Sequence, residues 1–311
     1  MNEIRVSVVM PTYNGRKYLH QSIESILNQT YTHFDFIIVD DGSTDNSAEI
    51  IHSFADPRIK YIYQAHMGPA SAYNTGFKIT TTDYVFIMDH DDISFADRLE
   101  KQMKFMTEHE LDVCGSNYEI LHEQNGYIEK IVRNFSDEEL KEKLLYLPWA
   151  MLNPTICVKR NILEEYNYYD ENYEVSFDYE FVSRIMFHAK LGIVPDCLYR
   201  WTQHASSYSS KTSKKARTVF KSIALKKIKG RKEFLTLQKY YAFIGLLYYY
   251  SDRMLLSCTF LFVSFFFGMK KITLKYFFAI LFGGLVVKIV RRYELFSNVF
   301  VRTCKKLFLE V

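Results

Sequence analysis

Three carboxylates and an imidazole follow directly on an apolar run in Tyr84-Val85-Phe86-Ile87-Met88-Asp89-His90-Asp91-Asp92. Carboxylates crowded in this way repel one another and hold their protons unless a cation sits among them. Oxygen ligands at this density suit a hard divalent ion, Mg²⁺ or Mn²⁺, of the kind that grips a phosphate-bearing substrate. The competing reading is a solvated acidic loop that opens the next helix, with Asp92 or Ser94 as its N-cap. On this stretch alone the two readings weigh equally.

The surrounding elements favour the first. A short apolar run ended by polar residues reads as a buried strand of a parallel sheet, and Tyr84–Met88 is the fourth such run. Val6–Met10 is the first and leads into Pro11-Thr12-Tyr13-Asn14-Gly15, a turn by composition. Apolar residues at helical spacing then cross Arg16–Asn28, Phe34–Val39 is the second strand, and Thr44 or Asp45 caps a helix running through Ile51. Ile59–Tyr63 is the third strand, with a helix around Ser71–Ile79 before the fourth. Strand and helix alternate on short connections, which predicts right-handed crossovers and a parallel sheet. Ligands of such sheets sit past the carboxyl ends of the strands. Thr12 and Tyr13, Asp40 and Asp41, and Asp89 and Asp91 all fall there, on three separate segments.

Val6 to Gly15 is similar to the opening strand and loop of glycosyltransferase family 2. Val39-Asp40-Asp41-Gly42-Ser43-Thr44-Asp45 matches that family's second motif, and Met88-Asp89-His90-Asp91-Asp92 resembles its Asp-x-Asp motif. The resemblance runs to about residue 210. It implies a GT-A fold, Rossmann-like with a mostly parallel sheet and flanking helices. It also implies an inverting transferase that uses a nucleotide-sugar donor, most readily a UDP-sugar, and a glycan or lipid-linked saccharide acceptor. On that resemblance Pro11, Thr12 and Tyr13 line the donor site, with Tyr13 against the nucleobase. Asp41, with Asp40 beside it, accepts a hydrogen bond from base or ribose, Asp89 contacts the ribose, and Asp91 coordinates Mn²⁺ or Mg²⁺. His90 is a metal or phosphate contact or a spacer.

Asp178, in Val175-Ser176-Phe177-Asp178-Tyr179-Glu180, is by resemblance the general base at a helix start. One carboxylate on the acceptor side suffices for direct displacement. Glu180 is the rival, but its spacing suits an i,i+4 pair with Arg184. Two departures from the family stand out. Ala72-Tyr73-Asn74-Thr75-Gly76 carries a tyrosine where an arginine is common, and Phe177-Asp178 keeps only the aspartate of a Glu-Asp pair. Farther along, Arg98–Glu108 reads as a helix, Val113–Leu121 as a strand and Phe135–Leu147 as a helix opened by a Ser136/Glu139 capping box. Trp149–Pro154 resembles the family's acceptor loop, and with Asn117–Arg133 it is expected to shape the pocket. Ile156–Val158 and Ile193–Leu198 are strands, Asn161–Glu165 is a short helix, and His204 lies on a loop with either a diphosphate-closing role or none.

Charge divides the chain. Residues 1–210 carry 18 Lys and Arg against 32 Asp and Glu, whereas residues 211–311 carry 21 against 4. The expected division is a catalytic domain over 1–210 and a basic, aromatic-rich helical region over 211–311. Apolar stretches at Tyr240–Tyr250, Leu255–Met269 and Tyr276–Val287 are each shorter than the ~20 residues of a spanning helix. Flanked by basic residues, they suggest peripheral attachment to the cytosolic face of a membrane. The alternative is a helical hairpin packed on the body or at a homodimer interface. No nucleic-acid reader motif accompanies the positive charge. Five scattered cysteines fit a reducing compartment, and the N-terminus lacks a signal-peptide core, so a cytoplasmic location is expected.

Three other function classes fit the sequence less well. A sugar-phosphate nucleotidylyltransferase needs a glycine-rich loop after the first strand, and Pro11–Gly15 has one glycine. A receiver-like signalling domain places its acidic pair after that strand. A catalytically dead sugar-nucleotide binder would not need both Asp91 and Asp178.

Overall fold

The computed structural model describes residues 4–230. The chain divides into two compact units, Met1–Ile223 and Ala224–Val311, the second described only over 224–230. The apolar stretches beyond residue 230 and their attachment to a membrane lie outside the described residues. Among the described residues no helix is long and apolar enough to cross a membrane.

The first unit begins with alternating strands and helices. These are β1 (Val6–Thr12), α1 (Leu19–Leu27), β2 (Phe34–Asp40), α2 (Ser47–Ser53), β3 (Ile59–Tyr63), α3 (Pro69–Ile79) and β4 (Tyr84–Ile87). Every residue of β1 and β2 is buried, as expected of strands covered on both faces. β1 pairs in parallel with β2 on one side and β4 on the other, with Val6 opposite both Phe34 and Tyr84. β3 adds to β2, also in parallel. Helix α2 starts later than the sequence suggests, because Asp45 accepts hydrogen bonds from the backbone N–H of Ser47 (3.0 Å) and from its hydroxyl.

Beyond β4 the sheet becomes mixed. β5 (Ile93–Ser94), α4 (Arg98–Glu108), β6 (Val113–His122), β7 (Tyr127–Ile131) and α5 (Asp137–Leu144) come next. Two 3₁₀ turns (Pro148–Ala150 and Asn153–Thr155), β8 (Cys157–Lys159), α6 (Arg160–Glu165), α7 (Phe177–Ile185), β9 (Leu191–Gln203) and α8 (Tyr208–Gly230) complete the described chain. The nine-stranded sheet runs β3-β2-β1-β4-β8-β6-β9-β5, with β7 paired on β6. β8 is antiparallel to both its neighbours, so the parallel reading holds for the first four strands and again for β6 beside β9. The hairpin β6–β7 occupies most of 117–133, which sequence reading assigned to a pocket-shaping loop.

The Ser136 capping box is present on α5, with Ser136 Oγ accepting from the Glu139 N–H and Glu139 Oε2 from the Ser136 N–H. The core gathers Val8, Met10, Ile23, Phe36, Phe86, Met88, Leu99 and Tyr199 from both halves of the sheet. Strand order reverses where β4 crosses to the far side of β1. Open α/β sheets leave a crevice at such a reversal.

Candidate active site

The segments that leave β1, β2 and β4 at their carboxyl ends meet at this crevice. Pro11 and Thr12 close β1 and are buried, whereas Tyr13 is 42% exposed. The Thr12 carbonyl accepts the Asp41 N–H at 2.8 Å, which joins the ends of β1 and β2. A Cβ placed on Gly15 would stand 2.7 Å from Thr12 Oγ1 and 2.5 Å from His90 Cδ2. Only glycine therefore lets the loop after β1 lie against the loop after β4. Thr12 Oγ1 is buried with no hydrogen-bond partner among the described residues.

Asp40 and Asp41 are both buried, and their own chain already satisfies their oxygens. Asp40 accepts the Ser43 N–H at 2.8 Å and the Tyr61 hydroxyl at 3.0 Å. Asp41 Oδ1 accepts from Gln64 Nε2 (2.7 Å) and the Met67 N–H (2.9 Å). Its Oδ2 accepts the Gly68 N–H at 2.9 Å and lies 2.8 Å from His66 Nδ1. A carboxylate offers about four acceptor positions, and here one segment, Gln64 to Gly68, fills them. The same segment covers Tyr13, on which the His66 ring stacks with centroids 4.0 Å apart and 18° between planes.

At the end of β4, oxygens of Asp89, Asp91 and Asp92 all lie within 4.8 Å of one another, a group able to hold a metal ion. The sequence places a cation among these three carboxylates, while the family resemblance gives the metal to Asp91 and the ribose to Asp89, and Asp92 has a competing reading as a helix cap. Asp92 instead has no exposure, and its Oδ1 accepts the Thr202 N–H at 2.8 Å. The N-cap of α4 is Asp97, and Ser94 lies in β5. Asp92 Oδ2 is a buried oxygen with no well-formed hydrogen bond among the described residues, although the Tyr199 hydroxyl is near enough to favour the carboxylate form. An all-oxygen set with an unsatisfied buried oxygen fits a hard divalent cation.

The cluster's electrostatics agree with that fit. Burial, and next the charge of Asp91, push the Asp89 carboxyl up to about 7. Burial, with Asp91 and Asp89 adding to it, pushes Asp92 well above the usual carboxylate range. Burial also acts on Asp91, but a hydrogen bond from His204 and the charges of His90 and His204 outweigh it and hold Asp91 low. His204 is 6% exposed, with Nε2 3.0 Å from Asp91 Oδ2 and the Tyr18 ring 4.4 Å away. The sequence left its role open.

Two further side chains reach the cluster, and neither carried a role in the sequence reading. Tyr73, where the family resemblance leads one to expect arginine, donates its buried hydroxyl to Asp89 Oδ1. Arg98 is wholly buried beneath the cluster, donating Nη2 to the Ile87 carbonyl (2.9 Å) and Nε to Gln102 Oε1 (2.8 Å). Its guanidinium lies 5.0 Å from the Tyr199 ring centroid, and no carboxylate pairs with it among the described residues. A buried cation without an ion-pair partner is costly, and here its charge helps to hold the Asp89 pKa down.

Asp178 sits in the first turn of α7, after Ser176 at φ +59°. Left-handed backbone at a residue other than glycine is uncommon and concentrates at functional sites. Burial raises the Asp178 pKa against the opposing pull of the Tyr179 and Asp178 N–H groups. Asp178 in turn raises Asp89 electrostatically, so the two carboxylates share one site. Glu180 turns away and pairs with Arg184 at 2.8 Å, as the spacing suggested.

A model of the family described as glycosyl transferase family 2 matches residues 7–166. An uncharacterized glycosyltransferase of Rickettsia bellii (strain RML369-C) is 36% identical over 174 residues, 55% of this chain and 25% of that protein. Glycosyltransferase GlyG of Streptococcus pneumoniae serotype 4 is 39% identical over 145 residues, 45% of this chain and 48% of that protein. The chain thus spans about a quarter to a half of the length of these curated relatives. Among solved structures, S. aureus TarS 1-349 in complex with UDP-GlcNAc is 20% identical with a TM-score of 0.65, over 83% of this chain and 81% of that one. Mannosyltransferase PcManGT from Pyrobaculum calidifontis, in complex with GDP-Man and Mn²⁺, is 17% identical with a TM-score of 0.58, over 94% and 83%. At these identities the likeness establishes the fold, which is GT-A.

Proposed function

The chain belongs to glycosyl transferase family 2, and from that premise we propose that it is an inverting, metal-dependent glycosyltransferase. It moves a sugar from a nucleotide donor, a UDP-sugar, to a hydroxyl of a glycan or lipid-linked saccharide in cell-surface polysaccharide synthesis. The observation that carries this reading is the meeting of Asp89, Asp91 and Asp92 at the end of β4, with Asp178 close enough to shift Asp89. The UDP-GlcNAc complex of TarS supports a uridine donor.

Asp91, with Asp89 and Asp92 beside it, would hold Mn²⁺ or Mg²⁺, and Pro11, Thr12, Tyr13, Asp40, Asp41 and Asp89 would form the nucleotide side. When bound, the ion supplies Lewis-acid charge at the donor's diphosphate. Asp178 takes the proton of the acceptor hydroxyl as its oxygen bonds to the anomeric carbon and the bond to the nucleoside diphosphate breaks. A single displacement inverts the anomer. Burial raises the Asp178 pKa, which makes its carboxylate a stronger base. Residues 1–210 form the catalytic part in this reading, and 211–311 attach it peripherally to the cytosolic face of the membrane. Helix α8 supports that assignment with eight Lys and Arg and no acidic residue over Tyr208–Gly230.

A donor panel with Mn²⁺ tests the proposal on wild type, Asp91→Ala and Asp178→Ala. Transfer of one sugar, lost in both variants, is the expected result. Undiminished turnover in both variants would overturn the site.

A further inference from the structure

Two consecutive residues of α3 reach both halves of the site. Tyr73, 1% exposed, donates its hydroxyl to Asp89 Oδ1, with the Met88 carbonyl 3.1 Å away as second acceptor. Asn74 closes on the segment that leads into α7. Its Nδ2 donates to the Tyr169 carbonyl (2.9 Å) and to Glu171 Oε1 (2.8 Å), while its Oδ1 accepts the Tyr169 N–H at 3.0 Å. The Tyr169 ring meets Tyr73 edge-on at 5.7 Å and Phe177, the neighbour of Asp178, at 5.1 Å. The Tyr169 hydroxyl donates to Asn153 Oδ1 at 2.7 Å.

We propose that Tyr73 is a positioning residue that fixes the orientation of the Asp89 carboxylate toward the donor's diphosphate and its cation, and this rests on the donor-side reading of Asp89. The argument is geometric. Asp89 lies two residues past the end of β4, outside the ladder that orders the strand. A hydroxyl on a ring locked among Phe77, Tyr169 and Phe177 holds Oδ1 and leaves Oδ2 outside that bond. From the other side the Asp89 N–H donates to the Tyr199 hydroxyl at 3.3 Å, so backbone and side chain are both held. Ordering a ligating group before its ligand arrives removes that ordering cost from binding. The Asn74 clamp ties the same helix to the approach of Asp178, so donor-side and acceptor-side carboxylates take their spacing from adjacent positions of α3.

Tyr73→Phe keeps the ring and removes only the hydroxyl. The full chain is titrated with UDP in Mn²⁺ and in EDTA, beside Asp91→Ala and Asp89→Asn. In Tyr73→Phe, the gain in UDP affinity that Mn²⁺ confers is expected to fall about tenfold, the scale of one hydrogen bond to a charged group. UDP affinity in EDTA is expected to stay at the wild-type value. A merely structural role would lower both affinities together, and that result overturns the inference. A double-mutant cycle of Tyr73→Phe with Asp89→Asn should show coupling, and independent effects also overturn it. An undiminished Mn²⁺ gain in Tyr73→Phe alongside a loss in Asp91→Ala overturns the positioning role alone. An undiminished gain in both overturns the donor-site reading beneath it.

Discussion

His204 Nε2 lies 3.0 Å from Asp91 Oδ2, so a residue at the end of β9 fixes a carboxylate at the end of β4. The contact is buried, and it holds Asp91 ionised while Asp89 and Asp92 beside it are pushed toward their protonated forms. His204→Ala removes a hydrogen bond to a charged group worth about 1.5–3 kcal/mol. The Mn²⁺ concentration for half-maximal turnover is expected to rise about tenfold or more, and a metal titration of the activity reads it. An unchanged titration would separate His204 from the metal site.

In the proposed mechanism the acid limb of the pH–rate profile carries Asp178 together with Asp89, whose carboxyl is pushed up to about 7. The Asp178 pKa is raised by burial, so the base becomes protonated, and inactive, at a higher pH than an ordinary aspartate near ~3.9 would. Activity is expected to fall with decreasing pH, and the limb to lie above that ordinary value. Asp178→Asn is expected to leave under ~1% of the turnover at every pH, in line with the ~10²–10⁴-fold contribution of a general base. A limb at the ordinary carboxylate position would remove Asp178 as the base.

His66 covers the face of Tyr13 that the proposed reading gives to the nucleobase. The stack is aromatic and half-exposed, the kind of pair worth about 0.5–1.5 kcal/mol. A base must displace it, so His66→Ala is expected to tighten UDP binding several-fold by calorimetry. Tyr13→Ala is expected to weaken it. Weaker binding in His66→Ala would mean that the imidazole contacts the base itself.

Gly76 marks where α3 touches the sheet. A Cβ there would stand 2.4 Å from Val9 Cγ1 and 3.3 Å from Val39 Cγ2, both on strands that cannot move freely. Gly76→Ala is expected to cost about 1–3 kcal/mol by overpacking, measured by denaturant unfolding. Because α3 also carries Tyr73, the same variant is expected to weaken UDP binding in Mn²⁺ more than in EDTA.

Local patterns carried much of the architecture. The four parallel strands were legible because each is an apolar run closed by polar residues, and Ile59–Tyr63 and Arg98–Glu108 coincide with β3 and α4. The Ser136 box and the Glu180–Arg184 pair were legible because both are contacts within one turn of helix. β5 is two residues long, and β7 sets the adjacent pair Glu129-Lys130 between Tyr127-Ile128 and Ile131 without strict alternation, so neither announces itself. The parts of the site that escaped are set by tertiary contact. Tyr73 on Asp89, His204 on Asp91 and the Gln64–Gly68 wrap around Asp41 join residues 16, 113 and about 25 apart. The nearest sequence signal was the tyrosine standing where arginine was expected.

Arg98 carries a consequence for assembly. Its guanidinium is a counter-ion that cannot diffuse away, enclosed beneath the acidic end of β4 by Ile87, Gln102 and Tyr199. The polypeptide therefore brings part of the neutralising charge with it, and the sheet is expected to fold without a divalent ion. Loading of the proposed metal would then be a reversible equilibrium on a finished scaffold, unlike in small domains whose metal is their fold. Stripping with a chelator should silence the protein without unfolding it, and returning the ion should restore it.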